Sequence, residues 1–155
     1  MSQPQINMQR VYLKGASLEL PGAPHAFANG GNVEVHSHLD LHVGSSELEP
    51  STFEVAVRAT LTLTQEREGQ KKVLAVIEGE QAGVFTLLDI PAQDLQGVLS
   101  VGCAQALFPY LRVNLADMMT RATLAPFHLP DVNFAAMFQQ MQQQAAGGSA
   151  PVALH

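Results

Sequence analysis

An α+β fold, a four-stranded antiparallel sheet followed by helices, is what this sequence predicts, and three observations carry it. Between residues 5 and 88, apolar and polar residues tend to alternate, the period of strands that bury one face. From Pro91 onward, apolar residues recur at helical spacing instead. The loops joining the four strand-like segments favour antiparallel pairing, because each parallel crossover needs a dozen or more residues.

The first strand is "QINMQRVYLKGASLEL", which ends at "PGAPHAFANGGN", where Pro and Gly forbid regular structure. The second contains "VEVHSHLDLHV". Its alternation puts Glu34, His36, His38, Asp40 and His42 on one face, opposite Leu39 and Leu41. The third, "TFEVAVRATLTLT", has the clearest pattern, with Phe53, Val55, Val57, Ala59, Leu61 and Leu63 together. "QEREGQKK" is a polar turn suited to a hairpin. In the fourth, "KVLAVIEGEQAGVFTLL", Gly79 and Gly83 suggest a bulge or bend.

Leu95, Val98, Leu99 and Gly102 then mark one helix, and Leu111, Leu115, Met118, Met119 and Ala122 a second. Pro109 is expected to separate the two or to open the second. "TLAPFHLPD" is a proline-broken crossover, and "NFAAMFQQMQQQ" a short amphipathic helix capped by Asn133 or Asp131. One domain spans residues 1–144, with 145–155 expected to be a disordered tail.

The chain has 155 residues, enough for one core, and no internal repeat. Only 14% of the residues are charged against 46% hydrophobic, so apolar surface must be hidden by assembly or used for binding. The formal net charge of −6 argues against nucleic acid, whose phosphates call for Lys and Arg, and suits a basic protein partner. The amino-terminal segment has no signal-peptide core, and no apolar run reaches the length of a membrane span. A cytoplasmic location without membrane insertion is the expectation, and the single Cys103 demands no oxidising compartment.

The histidine row invites a metal reading, since two histidines of an HxH pair can share an ion. His42 lies about 13 Å from His38 along an extended strand, too far to share that ion without a bend. With no cysteine in the row, a solvated polar face is the better reading, and no metal or cofactor is expected. Cys103 sits in an apolar helical stretch, as small buried hydrophobes do. No GxSxG, HExxH or Walker sequence occurs, so neither an enzyme nor an ATP-driven machine is expected. The stripe of Phe134, Met137, Phe138 and Met141 reads equally as core or as the wall of a groove.

Several stretches together resemble the SecB family of secretion chaperones. "QRVYLKGASLELPGAPHAF" is similar to the family's first strand and the loop after it, and "GVFTL" to the end of its fourth strand. "LFPYLRVNLADMMTRATLAPFHLPDVNFAAMFQQ" resembles its long helix, crossover and last helix, with "LFPY" and "VNF" in matching order. The resemblance runs from about Gln9 to Gln144. It implies a dimer of dimers, a homotetramer with the long helices in its interface. It also implies an ATP-independent holdase that keeps unfolded precursor proteins soluble and passes them to the translocation ATPase SecA.

By the same resemblance, Glu19 and Glu78 match acidic positions for SecA docking, with Val76 at a neighbouring apolar contact. A third acidic position is here Gly15, a loss that would weaken docking or leave it to neighbours such as Glu80. Client binding is implied for Leu39, Leu41, Leu124, Phe127, Phe134, Phe138 and Met141. The crossover departs from the family pattern. A SecB-like chaperone dedicated to a stress antitoxin, or an adaptor without holdase activity, would look much the same in sequence.

Overall fold

A computed structural model describes residues 3–28 and 34–147. Strands β1 (Gln5–Glu19), β2 (Glu34–Glu49), β3 (Thr52–Arg67) and β4 (Gln70–Leu88) form one antiparallel sheet in the order β1-β4-β3-β2. The expected α+β architecture is present. β2, β3 and β4 form a meander, and β1 closes onto its far side beside β4. Between β3 and β4, Arg67 pairs with Gln70 across a two-residue turn in which Glu68 and Gly69 both have positive φ, 53° and 78°. That is the geometry of a type I′ turn, whose twist matches the strands it joins.

Register decides which residues share a face. Phe53, Val55, Val57, Ala59, Leu61 and Leu63 of β3 are all buried and lie opposite Phe85, Gly83, Gln81, Gly79, Ile77 and Ala75 of β4. A helical turn α1 (Leu95–Gly97) continues through a π-type segment (Val98–Cys103) into α2 (Ala104–Arg121), which lies across this face. Leu107, Leu111 and Leu115, four residues apart, are 0% exposed. Burying each stabilises the fold by roughly 1.5–3 kcal/mol.

Two expectations are corrected here. Gly79 and Gly83 pair in regular register, so neither marks a bulge. They are places where the helix approaches the strand. A Cβ on Gly79 would lie 3.2 Å from Leu111, and one on Gly83 would lie 2.9 Å from Leu107 and 3.0 Å from the Arg10 carbonyl. The irregularities fall instead on β1, between Met8 and Arg10 and between Leu13 and Gly15, on β2 between Glu47 and Glu49, and on β4 opposite Leu63 and Thr64.

Pro109, for its part, lies inside α2 rather than at a helix boundary. The hydrogen bond it cannot make would go to Gln105, and both residues are exposed, so water can serve the freed carbonyl. The buried stripe on the opposite side holds the helix through the proline.

On the same face, Gln81 is 2% exposed and accepts a hydrogen bond from Asn114 Nδ2 at 2.6 Å. This polar pair fixes one position of α2 on the sheet, since a slip would strand a buried amide. The last helix, α3 (Phe134–Gly147), is capped by Asn133, whose Oδ1 accepts from the Ala136 N–H at 2.9 Å. It runs three residues past the expected end of the domain, and the rest of the expected tail, 148–155, lies outside the described residues.

α2 leaves part of the helix-side face bare. Ile6, Met8 and Leu13 of β1 are 40–48% exposed, and Tyr110 and Val113 project from the far side of α2.

Candidate functional site

Two surfaces carry the candidate residues, one on each face of the sheet. On the outer face, away from α2, Glu19 of β1 lies directly opposite Val76 of β4, and Ser17 opposite Glu78. Register thus gathers Glu19, Val76 and Glu78 into one patch, although 57 or more residues separate Glu19 from the other two. Both carboxylates are exposed, and Val76 is half-buried between them. Ser17 Oγ donates to Glu78 Oε2 at 3.3 Å, and among the described residues no Lys or Arg pairs with Glu19 or Glu78.

Glu80 differs. Arg58 Nη2 donates to its Oε2 at 3.0 Å, so its charge is already balanced, a cross-strand pairing that no sequence spacing announces. Gly15, the register partner of Glu80, opens a depression of about 320 Å³ bordered by Ser17, Arg58, Glu78 and Glu80.

Further along this face, Glu54 of β3 accepts hydrogen bonds from the Tyr12 hydroxyl and from Lys14 Nζ, the latter at 2.7 Å. The group bridges β1 to β3 over β4. Its Lys14 bond, then its Tyr12 bond, hold the Glu54 carboxyl below the ordinary value, while the bond to Glu54 pushes the Tyr12 phenol up to about 12.

The histidine row also lies on the outer face. His36 Nε2 is 3.1 Å from Glu66 and 3.6 Å from Glu34, and His38 Nε2 is 3.2 Å from Asp40, with both imidazoles about half exposed. Glu34, His36 and Glu66 bring three ligand atoms within 4.8 Å of one another, the one group among the described residues with such a geometry. Glu66 comes from β3, so a row read along β2 alone misses it. Cys103 is fully buried, and burial pushes its thiol up to about 11, which keeps it protonated and unreactive.

On the helix side, the client candidates divide. Leu41 lines an apolar depression of about 200 Å³ with Val43, Met137 and Met141, between β2 and α3. Leu124 and Phe127 of the crossover line another of about 280 Å³ with Val35, Leu63 and Leu74. Leu39 sits on the same face of β2, half-buried against the core between these places. Phe138 is half-buried, its ring 3.6 Å from where a Gly97 Cβ would be.

Phe134 is the exception and corrects the groove reading. It is 3% exposed, edge-on to Phe108 with ring centroids 5.7 Å apart. Its helix start is pressed against α2, so it supports the groove from behind rather than lining it. Met137, named in the sequence as part of a stripe that could be core or groove wall, lines the first depression. The missed lining residues Val35 and Val43 were legible, because each shares the strand period of Leu39 and Leu41.

The crossover is tied at its far end. Arg112 pairs with Asp131 and its guanidinium lies 5.1 Å from the centre of the Phe108 ring, while Leu129 is buried. These contacts hold the wall that carries Leu124 and Phe127.

Comparison with known proteins points the same way. The family model described as preprotein translocase subunit SecB matches residues 1–145. A protein-export protein SecB of Bordetella petrii is 42% identical over 150 residues, covering 94% of this chain and 82% of that protein. One of Burkholderia vietnamiensis is 41% identical over 154 residues, covering 97% and 93%. Among solved structures, a SecB-like chaperone of Mycobacterium tuberculosis, in complex with a peptide from an antitoxin, superposes with a TM-score of 0.60. It is 20% identical and the match covers 82% of this chain and 90% of that one, a likeness of fold.

Proposed function

The chain belongs to the SecB family, and from that premise we propose that it is an ATP-independent holdase acting in the cytoplasm on unfolded precursor proteins. The observation that carries this reading is the pair of open apolar depressions on the helix side of the sheet. Phe127 and Met141, which line them, are 38% and 51% exposed. An unfolded chain offers scattered apolar and aromatic side chains, and each one buried contributes only about 2 kcal/mol. Several shallow sites multiply such contacts through effective concentration, so binding needs no sequence motif and favours clients that fold slowly.

Leu39, Leu41, Leu124, Phe127, Phe138 and Met141 form the client surface in this reading. Assembly as a homotetramer covers the bare apolar strip of β1 and the outer side of α2. Glu19, Glu78 and Val76 form a docking patch for SecA on the opposite face, where free carboxylates suit a basic partner segment. The export reading outweighs the antitoxin-dedicated one. The relatives at 41–42% identity are export proteins by name, whereas the antitoxin-bound neighbour shares only 20%.

The test is refolding of a slow-folding precursor diluted from denaturant with one tetramer equivalent of this protein. Arrest of refolding, released by SecA and weakened in the double variant Phe127→Ser, Met141→Ser, is the expected result. Both side chains are exposed, so the variant should keep its fold. Refolding kinetics unchanged by the wild-type protein would overturn the holdase reading.

A further inference from the structure

We propose that Glu34, His36 and Glu66 form a cross-strand site for a divalent metal ion of the zinc class. The site lies on the outer face, where β2 begins and β3 ends, and it is independent of the holdase reading.

The spacing of the donor atoms is the first argument. His36 Nε2 stands 3.1 Å from Glu66 Oε2 and 3.6 Å from Glu34 Oε2, and all three ligand atoms lie within 4.8 Å of one another. Two ligands of a tetrahedral zinc, each about 2.0–2.2 Å from the ion, stand roughly 3.3–3.6 Å apart. Small side-chain rotations therefore seat an ion among atoms that already converge.

Charge is the second. Glu34 and Glu66 are register partners, and like charges placed directly opposite each other destabilise a sheet. Lys71 is the register partner of Glu66 on its other side, yet the Glu66 carboxylate turns to His36. Among the described residues neither carboxylate makes an ion pair with Lys or Arg. Two carboxylates and a neutral imidazole balance a dication and leave a fourth position for water.

The third argument is the kind of donor. Carboxylates alone suit hard cations such as calcium and magnesium, whereas an imidazole among them favours zinc and its neighbours. His38, two residues along the same row, is drawn to Asp40 at 3.2 Å and stands outside the group. The third ligand comes from β3 instead. Val35, between Glu34 and His36, lies on the opposite face and lines the client depression with Leu63, Leu124 and Phe127. An ion tying β2 to β3 at this point would hold that wall in place.

The experiment titrates the full-length protein with zinc by calorimetry and with cobalt by visible absorption, comparing Glu66→Gln, His36→Gln and His38→Gln. All three positions are partly or fully exposed, so the variants should fold, and melting curves without metal verify it. Expected is zinc binding by the wild type that weakens about tenfold or more in Glu66→Gln and His36→Gln and is unchanged in His38→Gln. Zinc should also raise the melting temperature of the wild type but not of Glu66→Gln, because only the former binds it when folded. An equal loss in His38→Gln would put the ion along β2 alone and overturn the cross-strand site, as would binding that Glu66→Gln leaves intact. Magnesium or calcium bound as tightly as zinc would overturn the zinc class. No uptake of zinc by the wild type would overturn the site altogether.

Discussion

The two faces of the sheet are built from alternate residues of the same four strands, yet they are held to different standards. On the helix side, Leu107, Leu111 and Leu115 press so closely on β4 that even a methyl group on Gly83 has no room. On the outer face, Gly15 stands in open space, and Glu19 and Glu78 have no Lys or Arg partner among the described residues. The difference is one of neighbours. A face covered by a helix is fixed by close packing, where each added or lost carbon is felt. A face meeting water is free to carry charge and shape for a partner.

Substitutions can break this contrast in order of effect. Phe134→Ala, on the helix side, should cost about 4 kcal/mol of stability, as deletion of a buried aromatic ring does. Met141→Ala, seven residues along the same stripe, should change stability by less than about 0.5 kcal/mol while weakening client binding. Urea denaturation of the two variants measures the gap, and similar midpoints would mean that α3 is not divided into a buried and an open end. Next in size, Gly83→Val should cost about 3 kcal/mol by overpacking against Leu107 and the Arg10 carbonyl. An unchanged denaturation midpoint would show that α2 rides higher over the strand than described.

The smallest effect belongs to the outer face and depends on pH. Glu54 is held below its ordinary 4.5, so its contribution is present above that value and lost as pH falls through the depressed one. Tyr12 is pushed up from 10.0 to about 12, so its contribution is present below 10.0 and lost as pH rises through about 12. Glu54→Gln should therefore lower the melting temperature modestly between pH 4.5 and 10.0, and the two proteins should converge as pH falls through the depressed Glu54 value or rises through about 12. Melting curves recorded across pH settle the matter. A constant offset at every pH would assign the loss to packing instead of charge.

Particular residues show how much was legible beforehand. The alternation in Phe53–Leu63 marked both the strand and its buried face, because a period of two leaves one arrangement that hides every apolar side chain. A cap at Asn133 or Asp131 followed from their place before an apolar stripe, and the Ala136 N–H bond to Asn133 Oδ1 selects Asn133. Pro109 misled because a local rule about prolines yielded to a stripe of leucines on the other side of the helix. Phe134 and Met141 occupy the same helical stripe and are indistinguishable by spacing, yet one is core and the other open. Only the placement of α3 beside α2 separates them.

What the sequence by itself determined, then, is periodic: which residues form strands and helices, which side of each is apolar, and that the chain carries too few charges to cover itself. Its resemblance to SecB lay in short motifs kept in order along the chain. What only the tertiary structure decided is which distant residues become neighbours. Glu19 meets Val76 and Ser17 meets Glu78 because β1 pairs with β4, and Glu80 is neutralised by Arg58 because β3 pairs with β4. Side-chain period is a property of one segment, whereas pairing register, charge balance and empty space arise only when segments far apart in the chain are brought together.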